Sequence, residues 1–186
     1  TSDTGTDLPV YRSLRIDGAL PFEEMRQVAF PYTTAWTNLV LADGHGEPYL
    51  FRLTAGEHTL TLTADVAPYR PTILAVQNVM QGVNDFMIQL KMATGNTEDA
   101  NRDWDLTDQI PDAAERLGRY ADTLEKQNEL LTQRVGGPTD ESKQMKISAQ
   151  ILRDLAKDPN TIPYKTSRLS GGSDSVMQLL GKTLAK

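Results

Sequence analysis

The chain has 186 residues, 39% hydrophobic and 24% charged, with a formal net charge of -6. That is ordinary globular composition, long enough for one domain or two small ones. An acidic balance without clustered Lys and Arg excludes a nucleic-acid surface, and the absence of cysteine excludes disulfides, thiolate metal sites and a cysteine nucleophile. No run approaches the ~20 apolar residues of a membrane helix, so no membrane insertion is expected in this segment. Residues 1–70 carry five Arg, no Lys and nine acids, and neither half of the chain is basic.

Residues 1–10 read as a flexible lead-in, and their direct run into strand-like sequence suggests a segment of a larger protein. Tyr11 to Asp17 alternates, with Leu14 and Ile16 on one face, and Asp17-Gly18 marks a turn. Two further strands are expected around Arg26 to Tyr32 and Thr37 to Asp43, followed by the glycine-rich loop Asp43 to Pro48. Next comes a hairpin pattern: PYLFRL, a turn at Thr54 to Glu57, then HTLTLTAD. Its Thr/Leu alternation predicts Leu60 and Leu62 inward and Thr59, Thr61 and Thr63 outward.

The order RSLRIDG, PF, a strand ending near FPY, isolated Trp36 and YLFRLTAGEHTLTL resembles the galactose-binding-like β-sandwich of carbohydrate-binding modules. The likeness covers about residues 11–66 and holds about five strands where such sandwiches have roughly eight or more. It implies a jelly-roll-like sandwich segment over residues 11–70. The join to a helical segment further resembles the accessory region of extracellular bacterial proteins associated with solute-binding sugar-uptake systems. That resemblance implies an extracellular or cell-surface bacterial setting, with polysaccharide or oligosaccharide as partner alongside other parts of a larger parent protein.

Helical grammar begins near Tyr69-Arg70-Pro71 and fills residues 71–186. Val76, Val79, Met80, Val83, Phe86, Met87 and Leu90 share one helix face, and Gly95 supplies a stop. Asn96 to Asp108 reads as a polar connection in which Trp104 either packs back on the helices or meets a partner. After Pro111, Leu117, Tyr120, Leu124, Leu131 and Val135 form a second stripe, ended by Gly136-Gly137-Pro138. Thr139 is an expected N-cap for a third helix with Ile147, Ile151, Leu152 and Leu155 as its core face. Asn160 to Gly172 reads as a loop with room for one short turn, and Ser173 as the cap of a last helix bearing Val176, Leu179, Leu180 and Leu184. The pattern predicts an α+β protein in which a partial antiparallel sandwich precedes an antiparallel bundle of four helices. Gly118 and Gly181 each cost their helices roughly 1 kcal/mol against Ala, which close packing against a neighbour would explain.

No catalytic constellation emerges. Zinc needs three or four ligands, and His45 and His58 with scattered acids do not make a metal site. Glu23-Glu24 and Asp103 with Asp105 lack a cleft to hold two carboxyls about 5 to 10 Å apart. No cofactor motif is present, and the expectation is a protein that is not an enzyme. Flat aromatic rings that meet the C-H face of a sugar are the better lead, so Tyr32, Trp36 and Tyr49 are the candidate ligand contacts, with Asn38 and Asp43 as polar partners. Trp36 has a competing reading as a core residue at the sandwich edge. The alternative function is a protein-protein interaction domain whose helices form the docking surface. Exposed aromatics discriminate the two, lying on the β loops for the first and on the helical face for the second.

Overall fold

A computed structural model describes residues 8–95 and 102–185, so most of the expected lead-in (residues 1–7) and the first part of the expected polar connection (residues 96–101) lie outside the described residues. The chain divides into two compact units, Thr1–Arg70 and Pro71–Lys186.

The first unit is built on three antiparallel strands, β1 (Val10–Ile16), β2 (Val28–Phe30) and β3 (Leu60–Asp65), in the order β2-β1-β3. Asp17 (φ 53°) and Gly18 (φ 79°) both adopt left-handed backbone. Ile16 and Ala19 exchange two 2.9 Å backbone bonds across them, a two-residue hairpin turn of the kind that Asp-Gly favours. A 3-10 turn at Glu23–Arg26 then drops Met25 under the sheet. Met25, Leu14 and Val28 are the buried centre of a small core, against which Phe22, Phe30, Leu41, Tyr49 and Phe51 pack.

A full β-sandwich is not formed among the described residues. Thr37 to Asp43 is not a strand and contributes only the isolated bridge Ala42 to Pro48. PYLFRL does not pair with HTLTLTAD either; β3 pairs with β1 instead, Leu62 opposite Leu14 and Leu60 opposite Ile16. Directly paired residues share a sheet face, so both leucines lie on the core side as the alternation predicts. They are nevertheless 61% and 42% exposed, because the core layer covers β1 and β2 and, among the described residues, no second layer lies over β3. Beyond the bond from the Tyr49 N–H to the Leu41 carbonyl, residues 50–53 have no neighbouring strand among the described residues and no ladder to hold them, which accounts for their irregular backbone.

The second unit contains four long helices, α1 (Arg70–Thr94), α3 (Ala113–Val135), α4 (Asp140–Lys157) and α6 (Val176–Leu184). Short helices α2 (Leu106–Gln109) and α5 (Thr166–Leu169), with a 3-10 segment at Pro159–Lys165, fill the connections. Neighbouring long helices run antiparallel. Thr72 of α1 donates to Gln127 of α3 at 2.8 Å and Arg116 to Gln89 at 2.6 Å, while Arg153 of α4 holds Glu125 (2.8 Å) and Asp122 (2.7 Å) of α3. Thr183 near the end of α6 donates to Gln144 near the start of α4 at 3.0 Å. Val76, Val83, Phe86, Leu117, Leu124, Leu152, Leu155 and Leu180 are fully buried between them.

The caps follow the chemistry of their side chains. Gly136 (φ 82°) ends α3, its N–H reaching the Thr132 carbonyl at 3.0 Å. Thr139 caps α4 reciprocally with Ser142: the Ser142 N–H donates to the Thr139 hydroxyl and the Thr139 N–H to the Ser142 hydroxyl. The cap of the last helix is Ser175, not Ser173, since its hydroxyl is the one that meets the Gln178 N–H. Residues 160–169 are more ordered than a loop: Asn160 accepts from the N–H groups of Leu106 and Thr107, tying the 3-10 segment to the start of α2.

Close packing does not explain Gly118 or Gly181, because a Cβ at either would meet nothing within 4 Å. Within the long helices, the glycine that packs is Gly82, over which Tyr120 of α3 lies.

Candidate functional site

The turn after β1 and the approach to β3 are tied by one side-chain clamp. Asp17 accepts from the Thr59 N–H at 2.8 Å through one oxygen and from His58 Nδ1 at 2.6 Å through the other. His58 Nε2 lies 2.9 Å from the Thr54 carbonyl. Both ring nitrogens therefore face acceptors, an arrangement that only the doubly protonated imidazolium satisfies. The hydrogen bond to Asp17, followed by that to Thr54, raises the His58 pKa, and the bond from His58 lowers that of Asp17.

The sign of the pH dependence follows. Stabilisation through His58 is fully present below the ordinary histidine value of 6.5 and is lost as pH rises through the raised folded value. Stabilisation through Asp17 is present above the ordinary value of 3.8 and is lost as pH falls through the lowered folded value. The clamp is therefore strongest in weak acid, between those two ordinary values. Amide exchange of β3 should be slower near pH 5 than near pH 8 after correction for intrinsic rates, and His58→Gln should remove the difference. An unchanged difference in the variant would mean that another group sets it.

Beside this clamp lies an open cavity of about 520 Å³, between the Asp17–Phe22 turn and the Leu50–Thr54 segment. Its apolar wall includes Phe22 and Phe51, stacked at 5.2 Å between ring centroids, and Leu50 and Arg52 stand exposed at its edge. Sequence reasoning missed it, since the wall forms only when residues 50–54 return beside the Asp17-Gly18 turn.

The sequence-derived candidates fall into two groups. Trp36 is 87% exposed and Tyr32 38%, and Asn38 is exposed in the same irregular stretch. Trp36 is thus not a core residue. The bend before it is held by a 2.8 Å bond from the Thr33 hydroxyl to the Ala35 carbonyl. Tyr49 is half-buried and packs on Phe22 at 5.1 Å, and Asp43 closes its own turn by accepting from the N–H groups of His45 (2.8 Å) and Glu47 (2.9 Å). His45 is exposed on that turn. The structure does not join these two with Trp36 in one set of free ligand contacts.

In the helical unit Trp104 packs back on the bundle, 6% exposed, with the Arg102 guanidinium 4.3 Å from its ring centroid. Tyr164 is the exposed aromatic there, and its hydroxyl donates to the Arg102 carbonyl. No group of three potential ligands is placed to hold a metal ion among the described residues, and no described helix is long and apolar enough to cross a membrane.

The antiparallel arrangement of α1, α3, α4 and α6 defines a four-helix bundle protein. Residues 71–186 match the family described as "Bacterial solute-binding protein, 4-helix bundle domain". The match takes in more than half of the chain, which belongs to that family. No curated protein and no solved structure matches the chain.

Proposed function

We propose that the chain is a non-catalytic accessory part of an extracellular bacterial solute-binding protein engaged in polysaccharide handling or sugar uptake, and that its N-terminal unit contacts the carbohydrate. The observation that carries this reading is the exposure of Trp36. A large indole held in water has no packing role, and a flat apolar surface beside polar groups suits the C-H face of a sugar ring. Tyr32 and Asn38, exposed in the same stretch, are the further contacts of this reading, while Tyr49 packs on Phe22 and Asp43 closes its own turn. Family membership supplies the solute-binding context.

Trp36→Ala tests it. Because the side chain is exposed, stability should change by less than about 0.5 kcal/mol. Loss of an aromatic anchor should weaken binding to any glycan that the wild type takes up by about tenfold or more, measured by calorimetry. Recovery of the saccharide unaltered after incubation checks the non-catalytic part. Unchanged affinity in a folded variant would move the contact elsewhere.

A second reading, in which the helices form a protein-docking surface, is favoured by Ile88 and Met92, which stand exposed near the end of α1. The aromatic distribution favours the first, since Trp104 is buried and Trp36 is not.

A further inference from the structure

We infer that the cavity beside the Asp17–His58 clamp is a subsite for a sugar acid, with Arg52 reading the carboxylate. The inference rests on the carbohydrate reading of this unit but not on Trp36. Of the charged groups that line the cavity, Asp17 and His58 neutralise each other at 2.6 Å and have their hydrogen-bonding atoms committed within the fold. Arg52 differs from both: its guanidinium has no hydrogen-bond or ion-pair partner among the described residues. The cavity therefore presents one uncompensated cation whose planar fork matches a carboxylate with two parallel bonds.

The rest of the lining asks for hydroxyls and for one apolar face. Leu50 to Leu53 is irregular, and among the described residues its peptide N–H and C=O groups make no backbone bond, so they remain available as donors and acceptors along the wall. The Thr54 hydroxyl, 3.5 Å from His58 Nε2, is a further polar group of the lining. The Phe22 and Phe51 rings and the Leu50 side chain, 86% exposed, also line the cavity and offer apolar area that an occupant would cover. A volume of about 520 Å³ falls in the usual range for small-ligand sites, roughly 300 to 1,000 Å³. A carboxylate, several hydroxyls and a C-H-bearing ring face together describe a uronic acid, free or as the end of an acidic glycan.

The test is an NMR titration of the full chain, following the His58 ring and the amides of residues 50–54, with galacturonate, galactose and acetate as probes. Galacturonate should shift these signals saturably, and the other two should bind about tenfold or more weakly. Arg52→Gln should remove the preference for the acid, Arg52→Lys should restore only part of it, and Trp36→Ala should leave it intact. Because Arg52 is exposed and unpartnered, these variants keep the fold. Equal binding of galactose overturns the role of Arg52 while leaving the carbohydrate reading in place. Equal binding of acetate overturns the sugar part. No shift with any probe overturns the subsite, and the response of Trp36 to glycans then judges the carbohydrate reading separately.

Discussion

Phe86→Ala should unfold the helical unit more readily than any surface change in it, by about 3 to 5 kcal/mol. Phe86 is fully buried on α1, and the Arg116 guanidinium of α3 lies 5.5 Å from its ring centroid. Removing the ring forfeits its transfer free energy and leaves a cavity that helices held by Leu117 and Leu124 fill only in part. Against a total stability of roughly 5 to 15 kcal/mol, that loss is a large share. Urea unfolding followed by far-UV circular dichroism measures it, with Phe86→Leu as the control that keeps most of the volume. A loss under about 1 kcal/mol would mean that the α1 stripe is not part of the packed core.

Glycine substitutions in the same helices should split by sign. A Cβ on Gly82 would lie 2.4 Å from the Tyr120 hydroxyl oxygen and 2.5 Å from the adjoining ring carbon, so the whole ring must move. Overpacking of this kind costs about 1 to 3 kcal/mol and outweighs the roughly 1 kcal/mol that alanine gains in helix propensity. Gly118→Ala and Gly181→Ala meet no atom and should each stabilise by up to about 1 kcal/mol. The gap between Gly82→Ala and Gly118→Ala, about 2 kcal/mol, is read by the same unfolding experiment. Tyr120→Ala should close it, because Tyr120 is what the new methyl group strikes. If the gap persisted without the ring, the packing account of Gly82 would fail.

The helices were legible in the sequence because their signal is local. Val76, Val79, Val83, Phe86 and Leu90 recur at helical spacing and are buried together, and Thr139 carries its capping chemistry within four residues. The errors are small offsets of the same signal. Ile147 was expected in the α4 core but is exposed, and Met145 and Ala149 take the buried places. Gly82 gave no sign of its role, since its neighbour lies on another helix.

The β unit was legible only where a contact is local. Asp17-Gly18 makes its turn within four residues, whereas strand pairing joins residues far apart and alternation does not name the partner. Leu60 and Leu62 have the expected face but, among the described residues, no layer over it, so their exposure was hidden from a reading that assumed a closed sandwich. Trp36 shows the same limit from the other side. Its type suggested both core and ligand contact, and only the position of residues 33–38 outside the Leu14, Met25 and Val28 core decides between burial and exposure.

The two tryptophans make the carbohydrate reading directly measurable. Trp104 is enclosed and Trp36 is open, so a quencher in solution should reach one and spare the other. Titration of the folded chain with a panel of polysaccharides and oligosaccharides, followed by tryptophan fluorescence, should give a saturable change with at least one glycan, protect the accessible fraction from iodide, and give no change in Trp36→Ala. A folded chain whose accessible tryptophan responds to no glycan in the panel would contradict the account.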